Sequence, residues 1–236
     1  QEPYFRIFDG MGITHRREGD SLTVWGRLRP GEYPMPGDVS SQFVTGLLFA
    51  LPLLEGESII RLTSPLESRG YVDMTLQVLR DRGIRVEELP EGFRVPGGQQ
   101  YGRGTLGEEA DYSQAAFWLA AAGLGSPLTV DGLDPDSTQG DRCAVPYFQQ
   151  LAGPGRVELD IAQCPDLAPA LAVRAALRPG QTARLVNAGR LRLKECDRLA
   201  AIPEELNKLG GQLTEGADFL EIRGVERLHG TEEPII

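Results

Sequence analysis

The amino-acid sequence predicts an α/β fold built from repeated β-α-β-α-β-β units that form parts of two globular domains. Three observations lead to this prediction. Apolar residues recur at helical spacing in several segments, short β-rich runs stand between those segments, and this order of segments occurs three times along the chain. Because each helix and strand of such a unit has one apolar face, the units are expected to pack helices against sheets.

The chain opens with a helix end and a hairpin over Tyr4 to Arg29, where LTVWGRL alternates as a strand does. The first copy of the repeat begins PGDVSSQFVTGLLFALPLL, whose helix is predicted by Phe43, Leu47, Ala50, Leu51 and Leu54. A strand over Ile59 to Leu62 follows. The second helix then carries Val72, Leu76 and Leu79 on one face and stops at Gly83, before a strand over Ile84 to Val86.

The second copy begins EADYSQAAFWLAAAG, continues through a β-rich run in SPLTVDGL and a segment CAVPYFQQLAG, and closes with RVEL. The third copy begins CPDLAPALAV and closes with FLEIRG. Its second helix shows the stripe Leu199, Ile202, Leu206 and Leu209. The pair Gly210-Gly211 is expected to end that helix, and the tail His229 to Ile236 has no periodicity and predicts a loop.

Composition excludes several classes of function. The formal net charge of −10 argues against nonspecific binding to nucleic acid or to a membrane surface. The longest apolar run, Phe43 to Leu54, is interrupted and too short to cross a bilayer, and QEPYFRIFDG does not resemble an export signal. Cys143, Cys164 and Cys196 are scattered, which fits the cytoplasm and argues against disulfides or zinc. A cytoplasmic monomer is expected.

The first candidate site is PGDVSSQF, where Ser40, Ser41 and Gln42 stand at a predicted helix start. Free backbone N–H groups and the helix dipole attract anions to such a place, and these side chains add donors. The alternative is a plain helix cap, which is the commoner use of a serine there. In LESRGYVD, Ser68 and Tyr71 precede a second helix with Arg69 between them, and the same two interpretations apply.

The strongest local anomaly is RLRLKECDRL, where Arg190, Arg192, Lys194 and Arg198 cluster in an otherwise acidic chain. If a helix begins near Lys194, then Lys194 and Arg198 share a face. Such cations can hold a phosphate or carboxylate, and Glu195 among them could pass a proton. The alternative is a solvated helix start with ion pairs one turn apart.

Asp166, in CPDLAPAL, opens the apolar helix of the third copy. An aspartate in this position is usually a cap. Beside Lys194 it could instead be a general base.

Together these segments resemble the 5-enolpyruvylshikimate-3-phosphate synthase family. The motifs VSSQF, ESRGYVDMTL, EADYSQAAFWLAAA, STQGD, PD before an apolar helix, and LRLKECDRL occur in the order typical of that family. The resemblance implies the enolpyruvyl transferase fold. It also implies transfer of an enolpyruvyl group from phosphoenolpyruvate to shikimate 3-phosphate in aromatic amino-acid biosynthesis, with release of phosphate and no cofactor or metal.

Residue roles are implied by the same resemblance. Ser40, Ser41 and Gln42 would bind shikimate 3-phosphate, with Gln42 also near phosphoenolpyruvate. Ser68 would hold the substrate phosphate, and Tyr71 would line the ring.

The other implied roles belong to the third copy. Asp166 would take the proton of the attacking hydroxyl, Lys194 would contact that hydroxyl, and Glu195 would handle the proton at the methylene carbon. Arg198 would grip the carboxylate of phosphoenolpyruvate. Arg190 would also bind substrate, although it stands where some members carry a smaller polar residue.

The resemblance further implies an internal piece of a longer chain, with residues 1–138 in the shikimate-phosphate-binding domain, 139–236 in the second domain, and a crossover near Gln139. The family's early lysine loop, NAGT-like and Arg-Pro segments, DHR segment and late lysine do not occur in this sequence. Weak substrate binding and slow or absent turnover are therefore expected. Two alternatives are an enolpyruvyl transferase acting on UDP-N-acetylglucosamine and a non-catalytic binding fragment.

Overall fold

The chain divides into two compact units, Gln1–Leu106 and Gly107–Ile236. The computed structural model describes residues 2–105 and 107–235. Within these ranges no helix has both the length and the apolar character that a membrane span requires.

In the first unit, a helix and an antiparallel hairpin precede one β-α-β-α-β-β unit. The helices are α1 (Glu2–Met11), α2 (Ser41–Ala50) and α3 (Arg69–Asp81), and the strands are β1 (Thr14–Glu18), β2 (Ser21–Trp25), β3 (Glu32–Met35), β4 (Ser58–Leu62), β5 (Glu87–Leu89) and β6 (Gly92–Val95). The sheet order is β3-β4-β6-β5. Strands β3 and β4 are parallel and joined by α2, while β4, β6 and β5 are antiparallel.

The second unit repeats this topology after two further helices. Its helices are α4 (Tyr112–Gly123), α5 (Ala144–Gln150), α6 (Ala168–Ala176) and α7 (Arg198–Lys208), and its strands are β7 (Gly155–Asp160), β8 (Gln181–Val186), β9 (Gln212–Glu215) and β10 (Phe219–Arg223). The order β7-β8-β10-β9 has the same parallel pair followed by antiparallel neighbours. The predicted β-α-β-α-β-β unit is therefore confirmed twice.

Each unit has its own apolar core. The first-unit core contains Tyr33, Met35, Val44, Leu48, Leu51, Ile60, Val72, Leu79 and Phe93. The second-unit core contains Leu151, Leu159, Ile161, Leu167, Leu171, Leu185, Leu191, Leu199, Leu220 and Ile222. In both units the helices bury residues three and four positions apart, as the periodicity predicts.

Three sequence-based assignments of strands need correction. The strand predicted over Ile84 to Val86 begins only at Glu87, since Ile84 N–H bonds to Leu79 O at the end of α3. The side-chain amide of Gln99 also accepts a hydrogen bond from Arg85 N–H at 2.8 Å and donates one to Arg85 O at 2.9 Å, so Arg85 has no backbone group left for strand pairing. SPLTVDGL forms no strand within the described residues. RVEL does not close the second copy, because β7 pairs parallel to β8 and so opens the last unit.

The division into compact units falls between residues 106 and 107. The assignment of residues 1–138 and 139–236 to two functional domains stays a prediction. Helix α4 packs against the second-unit core through Ala116 and Ala120. The side chain of Gln139, which is buried, accepts from Tyr112 N–H and donates to Ala110 O, each at 2.8 Å. The STQGD segment thereby attaches the start of α4 to the second unit.

Candidate functional site

Ser40 is the N-cap of α2. Ser40 has extended backbone angles, and its Oγ accepts from Gln42 N–H at 3.3 Å. Ser41 is the first residue of α2 and is buried, whereas Gln42 is exposed. The capping interpretation is therefore satisfied in the structure, and it leaves the exposed side of the helix start available to an anion.

Hydrogen bonds of Gly37 and Ser64 bring the starts of α2 and α3 to one edge of the first unit. Ser64 Oγ accepts from Gly37 N–H at 2.9 Å and donates to Asp38 at 2.6 Å, and Glu67 N–H bonds to Gly37 O at 3.0 Å. A Cβ on Gly37 would lie 2.7 Å from the carbonyl oxygens of Ser64 and Pro65. Because β3 and β4 are parallel, both loops leave the sheet at its carboxyl edge, which is where ligands of such sheets bind.

Ser68 lies in the second of these loops and has an unusual backbone. Its φ of 52° and ψ of 43° are left-handed, its side chain does not cap α3, and the residue is 2% exposed. A non-glycine residue in this region costs free energy and persists only where its surroundings enforce it. Tyr71 follows on the first turn of α3 and is half-buried, with its N–H bonded to Ser68 O at 3.1 Å.

In the second unit, the carboxylate of Asp166 lies between two cations. Its Oδ1 is 3.2 Å from Lys194 Nζ and 2.8 Å from Arg198 Nη1. The three side chains are 23–33% exposed, so a ligand can reach them. The sequence separates Asp166 from the two cations, and the fold brings the three side chains together.

Glu195 completes this group through Arg198. Its Oε1 lies 2.7 Å from Arg198 Nε and 2.6 Å from Nη2. A hydrogen bond from its own backbone N–H and then the Arg198 guanidinium lower the pKa of the Glu195 carboxyl. For Arg198, burial alone would lower the guanidinium pKa, but Glu195 and Asp166 outweigh it and raise that pKa.

The local structure around these residues differs from the prediction. Helix α7 begins at Arg198 rather than near Lys194, because Asp197 is its N-cap and accepts from Ala200 N–H at 3.1 Å. Lys194 instead follows the 3₁₀ helix Gly189–Leu193, so Lys194 and Arg198 do not lie on one helix face. They are close to each other because both contact Asp166. Asp166 lies in the 3₁₀ turn Pro165–Leu167 and is not the cap of α6.

The predicted residues form two sets, one in each unit. Those of the first unit are Ser40, Ser41, Gln42, Ser68 and Tyr71, and those of the second are Asp166, Arg190, Lys194, Glu195 and Arg198. Arg190 lies half-buried in the 3₁₀ helix that precedes Lys194. Both sets occupy the loops and helix starts that follow the parallel strands of their own sheet.

Sequence reasoning missed the residues that support these loops. No sequence motif indicates that Gly37 and Ser64 hold the two loops together. Arg192 belongs to the cationic cluster of the sequence, and its guanidinium contacts Asp197 at 2.9 Å and Glu215 at 2.7 Å. The Asp197 carboxylate itself was a recognisable cap signal in front of an apolar helix.

The sequence matches a known protein family. The model of the family described as EPSP synthase (3-phosphoshikimate 1-carboxyvinyltransferase) matches residues 10–153 and 150–233. The 3-phosphoshikimate 1-carboxyvinyltransferase of Clostridium kluyveri is 44% identical over 96% of this chain, and that of Clostridium beijerinckii is 41% identical over 98%. The chain spans 57% and 58%, respectively, of the length of these relatives.

Solved structures give the same fold. EPSP synthase from Acinetobacter baumannii superimposes with a TM-score of 0.71 at 22% identity, covering 99% of this chain and 58% of that one. The enolpyruvyl transferase NikO from Streptomyces tendae superimposes with a TM-score of 0.61 at 18% identity, covering 94% and 58%. The fold is thus the enolpyruvyl transferase fold, and with the family model matched along nearly the whole sequence, the chain belongs to the EPSP synthase family.

Proposed function

We propose that this protein transfers the enolpyruvyl group of phosphoenolpyruvate to the hydroxyl of shikimate 3-phosphate and releases phosphate. The observation that carries the proposal is the group formed by Asp166, Lys194, Glu195 and Arg198 in the second unit. It combines two fixed cations with two carboxylates in an acidic chain, which suits an anionic substrate whose reaction needs proton transfers.

In this proposal the first unit binds shikimate 3-phosphate. The exposed start of α2 and the buried Ser68 would hold its phosphate, since backbone N–H groups and hydroxyls at helix starts favour such anions. Tyr71 would lie against the ring, and Gln42 would reach phosphoenolpyruvate.

The second unit supplies the reacting groups. The substrate hydroxyl oxygen attacks C2 of phosphoenolpyruvate, Asp166 accepts the hydroxyl proton, and Lys194 holds that oxygen. Glu195 delivers a proton to the methylene carbon, which gives a tetrahedral intermediate. Loss of a proton from the new methyl group then expels phosphate and restores the double bond. Arg198 holds the carboxylate of phosphoenolpyruvate, for which its planar guanidinium is suited, and Arg190 adds a second cation.

One contact in the site supports these assignments, and one electrostatic property sets a condition on them. Asp166 and Glu195 both contact Arg198, so one guanidinium holds the two carboxylates in place. The lowered pKa of Glu195 keeps that carboxyl ionised at neutral pH, and it would have to gain its proton from substrate or water during turnover. The same proposal includes that the protein acts on these two substrates as a monomer in the cytoplasm.

The test is phosphate release under single-turnover conditions, with the chain in excess over both substrates. Release that requires shikimate 3-phosphate and phosphoenolpyruvate together, and that Asp166→Asn abolishes, would support the proposal. Absence of phosphate with both substrates present, or equal release without shikimate 3-phosphate, would contradict it. A matched control is Asp131→Asn, at an exposed aspartate of the second unit outside the group.

A further inference from the structure

Arg192 connects the segment that carries Lys194 and Glu195 to the outer hairpin of the second unit. One guanidinium nitrogen is 2.9 Å from Asp197 Oδ2, and another is 2.7 Å from Glu215 Oε2 and 2.8 Å from Gly216 O. Glu215 is the last residue of β9. A planar guanidinium can make these three bonds at once, whereas a lysine ammonium cannot match the same fork.

The same segment is held at its other end. Asp218, in the turn between β9 and β10, accepts from Gly189 N–H at 2.5 Å, and its own carbonyl accepts from Ala188 N–H at 3.1 Å. Asp197 caps α7 with Oδ1 while Oδ2 receives Arg192. The loop over 188–197 is therefore fixed to the hairpin at the start of the 3₁₀ helix and again through Arg192, which also holds Asp197 just before α7.

The first unit has an equivalent contact in the equivalent place. Arg69 follows Ser68 at the start of α3, and its guanidinium lies 2.7 Å from Asp73 and 2.5 Å from Glu88. Glu88 is in β5, which is the outer strand of its sheet just as β9 is of the other. In both units an arginine that follows the second parallel strand is bound to a glutamate of the outer strand. Arg192 lies in the 3₁₀ helix before α7, and Arg69 is the first residue of α3.

Stability alone does not account for this repetition. The arginine side chains are 33% and 42% exposed, and exposed ion pairs contribute only about 0–1 kcal/mol each. The two contacts have one property in common. Each holds a segment that carries predicted substrate-binding residues. Fixing such groups within a fraction of an ångström is worth far more to a reaction than the ion pair is to folding.

We propose that Arg192 is a positioning residue that holds Lys194 and Glu195 against Asp166 and Arg198, and that Arg69 is its counterpart for Ser68 and Tyr71. The roles of the positioned residues rest on the proposed function. The positioning itself is a property of each unit and can be measured without turnover.

The test compares Arg192→Ala and Arg192→Lys with the parent chain. NMR titration of side-chain carboxyl carbons reports the Glu195 pKa, and the Arg198 Nε–H resonance reports its bond to Glu195. We expect Arg192→Ala to raise the Glu195 pKa towards that of an ordinary carboxyl and to shift or broaden the Arg198 signal. Arg192→Lys should restore part of each effect. Affinity for phosphoenolpyruvate, measured by calorimetry, should fall about tenfold in Arg192→Ala.

Lys208→Ala is the matched control, because Lys208 is a cation at the other end of α7 with contacts to Glu204 and Glu205. It should leave both NMR signals unchanged. Glu215→Ala cuts only the link to β9 and should act in the direction of Arg192→Ala, which guards against misfolding of a single variant. Unchanged Glu195 and Arg198 signals in Arg192→Ala would overturn the inference. If the parent chain binds no phosphoenolpyruvate, the proposed function fails, while the NMR comparison still decides the positioning role.

Discussion

Ser40 allows the capping and anion-binding interpretations of α2 to be separated by two substitutions. Its Oγ accepts one hydrogen bond from Gln42 N–H, at 3.3 Å, so Ser40→Ala removes one cap. Loss of a serine cap costs about 1 kcal/mol, which corresponds to a fall of about 0.5 M in the urea midpoint. Ser40→Asp keeps an equally good cap and adds a negative charge that the helix dipole tolerates. Its stability should match or exceed that of the parent chain.

In Ser40→Asp, stability and binding should change independently. If the phosphate of shikimate 3-phosphate lies at this helix start, the aspartate carboxylate repels it, and affinity should fall by more than about tenfold despite full stability. Urea denaturation followed by circular dichroism gives the stability, and calorimetric titration gives the affinity. Parent-like affinity in Ser40→Asp would refute the anion-binding interpretation and leave Ser40 as a cap alone.

Three further predictions concern the second unit. Asp166→Asn should slow single-turnover phosphate release at least about 100-fold while calorimetry shows phosphoenolpyruvate affinity retained; parallel loss of both would contradict a role in proton transfer. Because the folded-state pKa of Glu195 is lowered, its stabilising contribution is present above the ordinary carboxyl pKa and lost as pH falls through the lowered value. Glu195→Gln should therefore flatten the acid limb of a plot of urea midpoint against pH, and an unchanged slope would count against this. Gln139→Ala should lower the free energy of unfolding by about 2–3 kcal/mol, since two backbone groups before α4 lose their partner, whereas exposed Gln149→Ala should change it little.

Much of the fold could be predicted because the helices and most strands carry their own periodicity. The stripe beginning at Leu199 and the alternation in LTVWGRL each depend on local residues, and both elements form. SPLTVDGL has strand composition, but a strand also needs a neighbour to pair with, which local sequence does not specify. The first residue of α7 was misplaced because the cationic run before it looked helical, while Asp197 ends that run as a cap.

The site could be predicted only as a set of residue types. Asp166 and Lys194 were expected to act side by side, and the fold places them 3.2 Å apart. Arg192 could not be distinguished from Arg190 or Arg198 by composition, since its partner Glu215 returns from a later strand. The positive φ of Ser68 likewise depends on the packing of its loop and has no local signal.

The most direct test of the central claim is calorimetric titration of the chain with shikimate 3-phosphate, with and without the paired substitution Ser40→Ala and Ser41→Ala. The account predicts weak, saturable binding that the pair abolishes, which would locate the phosphate at the start of α2. Absence of binding by the parent chain, or binding that the pair leaves unchanged, would contradict it.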